Sequence, residues 1–147
     1  MREDFVHVAV RRFLTKNSWQ LIAGQYPGGS DHLPPLNITD PRVAKDNSPD
    51  PRRHSKNKLV PDLVAHKKGV ILLVEMKPSY SKSDERKLQT ILGSRYDHLF
   101  CALQELVVTR GAQLPQRPSS LSFVPCLGFG ANSAYKRVPE FCYFKVR

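Results

Sequence analysis

Two short motifs in this sequence bring together residue types that can perform hydrolytic chemistry, Pro61-Asp62 and Glu75-Met76-Lys77. Two carboxylates that approach each other repel, which raises the pKa of one of them unless a cation lies between them. Hard oxygen ligands of this kind favour Mg²⁺ or Mn²⁺. A bound divalent ion can polarise a phosphate and activate a water molecule, and Lys77 can orient that water or neutralise charge. The motifs therefore predict a metal site that is equipped for phosphodiester hydrolysis.

The elements that position these motifs are two neighbouring strands, predicted over 59–65 and 70–77 and joined by a tight turn at 66–69. Because side chains alternate along a strand, Glu75 and Lys77 share a face, and a short hairpin brings Asp62 beside Glu75. The second strand is apolar on both faces up to Glu75, which is typical of a buried central strand. Burying charged groups at its end is costly without a purpose. The alternative is an ion pair of an acid with Lys77 at a sheet edge.

The rest of the chain supplies further elements. Apolar residues recur at helical spacing over 2–16, and a short strand is predicted over 19–23. A second helix begins near Ser81 and continues to about Val108, unless Gly93 splits or kinks it. Two closing strands are predicted over 121–128 and 141–146. The order of helix, three strands, helix and two strands predicts an α/β class, in which helices flank a central mixed sheet.

Residues 27–57 interrupt this pattern with prolines, glycines and small polar residues, and they show no periodicity. We expect a long loop, and loops of this length are commonly functional or disordered. Its second half is basic and includes Arg52 and Arg53, so it is either an arm that grips a nucleic-acid backbone or a solvated linker.

Composition bounds the remaining possibilities. A chain of 147 residues predicts a single domain over 1–147, and a net charge of +10 with a pI near 9.8 favours a nucleic-acid partner. The longest apolar run is too short to cross a bilayer, and no signal peptide is visible, so we expect no membrane partner. Cys101, Cys126 and Cys142 are widely spaced, which argues against a disulfide framework and a structural zinc site. A cytoplasmic or nucleoid-associated protein is expected.

The two motifs in this order of elements resemble the PD-(D/E)xK, or restriction-endonuclease-like, nuclease superfamily. The similarity covers about residues 3–108 and implies an αβββαβ core and a divalent-metal-dependent nuclease. The resemblance implies that Asp62, Glu75 and the backbone carbonyl of Met76 ligate Mg²⁺ or Mn²⁺. The catalytic residues that it implies are Asp62, Glu75 and Lys77.

The first helix adds a candidate ligand. In members of the superfamily a glutamate often stands on this helix near the metal, and His7 falls at that position here. The helix also resembles the start of the cyanobacterial excision-controlling-factor family, although Val8 replaces the glutamate of that family. His7 as a ligand would resemble the arrangement of cap-snatching endonucleases. It is either a ligand or a partly buried histidine that covers the core, and Glu3 could supply the carboxylate instead.

Further nucleic-acid contacts are implied at the start of the second helix. Lys82, Arg86 and Gln89 lie where the superfamily often places phosphate-contacting residues. The alternative for each of them is a solvated helix face.

The expected function is endonucleolytic hydrolysis of DNA, with three alternatives left open. The same chemistry could act on RNA, which His7 motivates, or on branched DNA as in Holliday-junction resolvases. A non-catalytic nucleic-acid-binding protein that assists recombination would keep the fold without cleavage. A homodimer and a monomeric nickase are both compatible with the sequence, and DNA is favoured over RNA as the partner.

Overall fold

The computed structural model describes residues 1–27, 31–39, 58–112, 114 and 120–147, and within them one helix precedes five strands, and two helices precede the last two strands. The helices are α1 (Glu3–Lys16), α2 (Lys82–Leu92) and α3 (Tyr96–Arg110). The strands are β1 (Gln20–Gly24), β2 (Ile38–Thr39), β3 (Lys58–Leu59), β4 (Leu63–Lys67), β5 (Val70–Met76), β6 (Ser122–Gly130) and β7 (Cys142–Val146).

A five-stranded sheet in the order β1-β4-β5-β6-β7 forms the centre of the fold. The β1–β4 and β4–β5 pairs are antiparallel, whereas β5, β6 and β7 are mutually parallel. The parallel pair β5–β6 requires a crossover connection, and α2 and α3 provide it. The predicted mixed sheet with flanking helices is therefore confirmed.

The two faces of β5 pack against different helices, as strand alternation requires. Leu72, Val74 and Met76 belong to the core beneath α1. Ile71 and Leu73 belong to the core beneath α2 and α3. Glu75 shares the second face, so the central strand presents this carboxylate toward α2.

The β4–β5 hairpin closes through a two-residue turn. Lys68 has φ 49° and Gly69 has φ 81°, so both central residues adopt the left-handed conformation of the turn that suits the twist of a hairpin. The backbone N–H of Gly69 donates to Nε2 of His66 at 3.1 Å. The predicted tight turn is thus present, but it comprises only Lys68 and Gly69, because His66 and Lys67 belong to β4.

The strand predicted over 59–65 is divided in two. β3 pairs with β2 in a separate two-stranded sheet, and β4 begins only at Leu63. Pro61 lacks the N–H group that a strand ladder needs, and the N–H of Asp62 donates to a side chain instead of a strand. The interruption therefore lies at the residues that carry the first motif.

The remaining differences are local. The helix predicted from Ser81 to Val108 is split at Gly93, where α2 ends, and Ser81 caps α2 by accepting from the N–H of Asp84 at 3.3 Å. The segment 27–57 is only partly described, and Ile38–Thr39 form β2 instead of loop. Arg52 and Arg53 lie outside the described residues. Across the described part of the chain, no helix combines the length and the apolar character needed to cross a membrane.

Candidate metal centre

Asp62 lies between β3 and β4 and is fastened to the end of β5 by a reciprocal pair of hydrogen bonds. Its Oδ2 accepts from the backbone N–H of Met76 at 2.8 Å. Its own N–H donates to Oε2 of Glu75 at 2.7 Å. The hairpin thus brings the first motif beside the second, as strand geometry predicted. Burial raises the pKa of Asp62, although the Met76 N–H and the Lys87 ammonium oppose this.

Glu75 is buried and both of its carboxylate oxygens already have protein partners. Oε2 accepts from Asp62, and Oε1 accepts from Nζ of Lys87, which also donates to the carbonyl of Val60 at 2.7 Å. Burial and the neighbouring Asp62 raise the pKa of Glu75 to about 8, while the Lys87 ammonium lowers it. Glu75 therefore fixes the backbone of Asp62 and joins β5 to α2.

A different trio brings its ligand atoms together. Among the described residues, Glu3, His7 and Asp62 each place one ligand atom within 4.8 Å of the others. Nε2 of His7 lies 3.8 Å from Oδ2 of Asp62. Glu3 and His7 are one turn apart on α1, so both side chains project toward the same end of the sheet. Glu75, which was predicted as a ligand, does not belong to this described group.

His7 is only 1% exposed, yet neither of its ring nitrogens has a hydrogen-bond partner among the described residues. Burial and the nearby Arg11 guanidinium lower its pKa to about 4, so the ring is neutral near pH 7. A neutral imidazole offers a lone pair, which is the form that binds a metal ion. An unpartnered buried polar atom is costly, and so His7 marks a position where a ligand would compensate the loss of water.

An ion pair one turn along α1 holds the neighbouring loop against this site. Arg11 and Asp31 are both buried and bond through two N–H groups, one of them at 3.1 Å. The Arg11 guanidinium lies 3.8 Å from the centroid of the Tyr26 ring, and that ring packs beside His7. A side chain at Gly24 would collide with this pair, with its Cβ 2.8 Å from Arg11. The absence of a side chain at Gly24 therefore makes room for the ion pair.

Lys77 follows β5 and lies at the rim of the site. Its N–H donates to the carbonyl of Gly128, and its Nζ lies 3.5 Å from Oε1 of Glu3. Burial tends to lower the pKa of Lys77, but the carboxylates of Asp84, Glu3 and Asp62 outweigh it and raise that pKa. The side chain is 44% exposed, so a charged ammonium is accessible beside the trio.

Two residues of this site were not singled out from the sequence. Lys87 and Asp84 lie on the buried face of α2, where Asp84 is 8% exposed. Burial raises the pKa of Asp84, and the Lys77 ammonium opposes this. The detectable signal was periodicity, since 84, 87, 88 and 91 recur at helical spacing with Leu88 and Ile91 in the core. A charged residue on such a stripe indicates a buried partner.

The predicted nucleic-acid contacts on α2 differ in whether they already have a partner within the protein. Lys82 pairs with Oε2 of Glu85 at 2.5 Å, and Glu85 also accepts from the hydroxyl of Tyr80 at 3.0 Å. Arg86 and Gln89 are exposed on the helix surface. Arg86 and Gln89 are thus open to solvent, whereas Lys82 is engaged within its own helix.

The donor set of this site suits a divalent cation. Two carboxylates and one neutral imidazole are ligands that Mn²⁺ and Mg²⁺ accept, and imidazole nitrogen favours the transition ion. The ring nitrogens of His7, which have no hydrogen-bond partner in the described part of the chain, are free to coordinate an ion.

Comparison of the chain with protein-family models, with curated proteins and with solved structures gives no match.

Proposed function

We propose that this chain is a divalent-metal-dependent nuclease that hydrolyses phosphodiester bonds in DNA, with a PD-(D/E)xK-type arrangement. The observation that carries the proposal is the buried and neutral His7, which lies beside Asp62 and Glu3 and has no hydrogen-bond partner among the described residues. The net charge of +10 favours a polyanionic substrate.

The three residues Glu3, His7 and Asp62 would hold the ion, and the ion would polarise the scissile phosphate and lower the pKa of a bound water. Lys77 would neutralise negative charge that develops on the phosphate, because its ammonium lies at the accessible rim. Glu75 would act through Asp62, whose backbone it holds, instead of contacting the ion. This assigns Glu75 a positioning role, which differs from the ligand role implied by the family resemblance.

The test is a cleavage assay with plasmid, linear duplex and branched DNA in Mn²⁺ or Mg²⁺, with EDTA as the metal-free arm. We expect nicking or cutting that requires the metal and that falls by at least about a hundredfold in Asp62→Asn and Lys77→Ala. Lys68→Ala is the matched control, because Lys68 lies in the turn at the opposite end of β5. Intact substrates, or equal activity in Lys77→Ala and Lys68→Ala, would contradict the proposal.

RNA is the second candidate substrate, and His7 is the observation that favours it, because the sequence resemblance links a histidine at this position to RNA-cleaving members. Single-stranded RNA in the same assay decides between them. Cleavage of RNA with intact DNA would replace the proposed substrate while leaving the metal site in place. Binding of either polymer without cleavage would favour the non-catalytic accessory protein.

A further inference from the structure

Cys126 and Cys142 are far apart in sequence but are direct neighbours in the sheet. They are register partners in the parallel strands β6 and β7. Both side chains pack in the core beneath α1, so they lie on the same face. Adjacent strands place such partners about 4.8 Å apart between Cα atoms. Disulfides span roughly 4.4–6.8 Å between Cα atoms, so the backbone already meets the first requirement for a bond.

We propose that Cys126 and Cys142 form an oxidation site, in which a hydroperoxide converts the two thiols to a cross-strand disulfide. Both cysteines are free thiols in the structure. Cys142 is half-buried and Cys126 is fully buried, so the two sulfurs differ in their access to solvent. An oxidant therefore reaches Cys142 first, and Cys126 is the partner that resolves the product.

The electrostatics assign the same roles. The neighbouring Cys126 thiol lowers the pKa of Cys142 to about 6, and the N–H of Tyr143 and the Arg137 guanidinium act in the same direction against burial. The pKa of Cys126 is raised instead, so it stays a thiol at neutral pH. The thiolate is the nucleophile in thiol oxidation, which makes Cys142 the attacking sulfur.

The reaction has two balanced steps. The Cys142 thiolate attacks one oxygen of hydrogen peroxide, the O–O bond breaks, and the departing hydroxide takes a proton to become water. The sulfur of Cys126 then loses its proton and attacks the resulting sulfenic sulfur. The S–O bond breaks, the hydroxide leaves as a second water, and an S–S bond forms. The two sulfurs together lose two electrons, and the peroxide gains them.

The disulfide should be strained and therefore reversible. Neighbouring strands lie about 4.8 Å apart, whereas a relaxed disulfide brings its two Cβ atoms to about 3.8 Å. Closing the bond must draw β6 and β7 together at this point. Strained disulfides have higher reduction potentials, so thiol reductants should reopen this one readily.

The test treats the metal-free full chain with stoichiometric hydrogen peroxide in chelator and measures intact mass and thiol content. We expect a mass lower by two hydrogen atoms, a fall from three free thiols to one, and a 126–142 linkage in peptide mapping. Dithiothreitol should restore all three thiols. Because metal and substrate are absent, this outcome is independent of nuclease activity.

Variants separate the proposed pair from general thiol oxidation. Cys101 is exposed on α3 and provides the matched control, so Cys101→Ser should still lose two hydrogen atoms. Cys126→Ala should accumulate a Cys142 sulfenic acid that dimedone captures. If Cys126→Ala does not fold, Cys142→Ser at the half-buried position should abolish the mass loss. Oxygen addition to Cys142 in the unaltered protein, or disulfides only between chains through Cys101, would overturn the proposal.

Discussion

His7 is the residue of the candidate site whose burial is least compensated within the described part of the protein. Its imidazole is buried with both nitrogens unpartnered among the described residues, and such a group costs about 1–3 kcal/mol per unmade hydrogen bond. Asp62 and Glu3 lie close enough to complete a donor set with it. Coordination of the proposed metal ion would give one of these nitrogens a partner.

Replacement of His7 by phenylalanine tests both the cost of burying the imidazole and its proposed role as a metal ligand. We expect His7→Phe to keep or raise the metal-free free energy of unfolding, by about 1 kcal/mol, because an apolar ring removes two unpartnered nitrogens. If the proposed site binds Mn²⁺, saturating Mn²⁺ should raise the melting temperature of the unaltered protein, and this rise should disappear in His7→Phe. Thermal unfolding with and without Mn²⁺ measures both effects. An unchanged Mn²⁺ response in His7→Phe would remove His7 from the ligand set.

Glu75 and Lys87 form a buried pair that joins β5 to α2. Glu75 is 2% exposed, and the Lys87 ammonium that donates to its Oε1 compensates its charge whenever the carboxyl is ionised. Removing one partner of a buried pair leaves an uncompensated charge, and Glu75 would respond by taking up a proton. The pKa of Glu75, already raised to about 8 chiefly by burial, should then rise further.

Lys87→Met should therefore destabilise the fold by about 3 kcal/mol at alkaline pH, where Glu75 is ionised. A carboxyl whose folded pKa is raised binds its proton more tightly in the folded state, so stability is lost as pH rises from the unfolded value of 4.5 through the folded value. The loss in Lys87→Met should thus be larger at pH 9 than at pH 6. Urea unfolding at both pH values measures this. Arg86→Met, on the exposed face of α2, is the control, and an equal loss there would contradict the assignment.

At the scale of elements, the β4–β5 hairpin determines whether the two motifs meet. Its register pairs Leu63 with Val74, which places Asp62 next to Glu75. A slip of one residue would turn Glu75 to the α1 face and separate it from Lys87. The two-residue turn at Lys68 and Gly69 sets this register.

Substitution in the turn should therefore have different consequences at its two positions. Gly69 has φ 81°, so Gly69→Ala should cost about 1 kcal/mol of unfolding free energy through strain. Lys68→Gly relieves a non-glycine residue at φ 49° and should be close to neutral, since the gain is offset by added freedom of the unfolded chain. Urea denaturation of both variants provides the comparison. Similar losses in the two variants would show that contacts of the turn, and not its backbone conformation, matter.

For the whole molecule, the main functional indication outside the candidate site is the net charge of +10. The chain carries 23 lysines and arginines against 13 acids, and several of the acids, such as Glu75, Asp84 and Glu85, are buried. An excess of positive charge favours attraction to a polyanion, and this attraction does not depend on nucleotide sequence.

Binding to nucleic acid should consequently be strongly salt-dependent. In EDTA, we expect the affinity for a duplex oligonucleotide to fall by about a hundredfold or more between roughly 50 and 200 mM salt, because bound counterions are released. Fluorescence anisotropy over a salt series measures the slope of log affinity against log salt concentration. Lys77→Ala should reduce the magnitude of this slope by about one, while binding remains measurable. Affinity that does not change with salt would contradict a phosphate-backbone contact.

Local sequence was sufficient to predict most of the elements and the faces of their side chains. The apolar period of α1, the helix start near Ser81, the tight turn within 66–69 and the alternating faces of β5 follow from local sequence, because backbone preference and burial act over a few residues. The mixed sheet follows from their order. For the same reason, the pattern of a short hairpin is sufficient to place Asp62 beside Glu75.

The pairing of distant side chains became visible only in the folded chain. Lys87 donates a hydrogen bond to Glu75, and Cys126 is the register partner of Cys142. Glu3 lies close to His7 and Asp62. The division of the 59–65 strand and its pairing with β2 were likewise decided by long-range contacts. Such pairings depend on the rotation of each helix and the register of distant strands, which set distances of a few ångströms that no local pattern encodes.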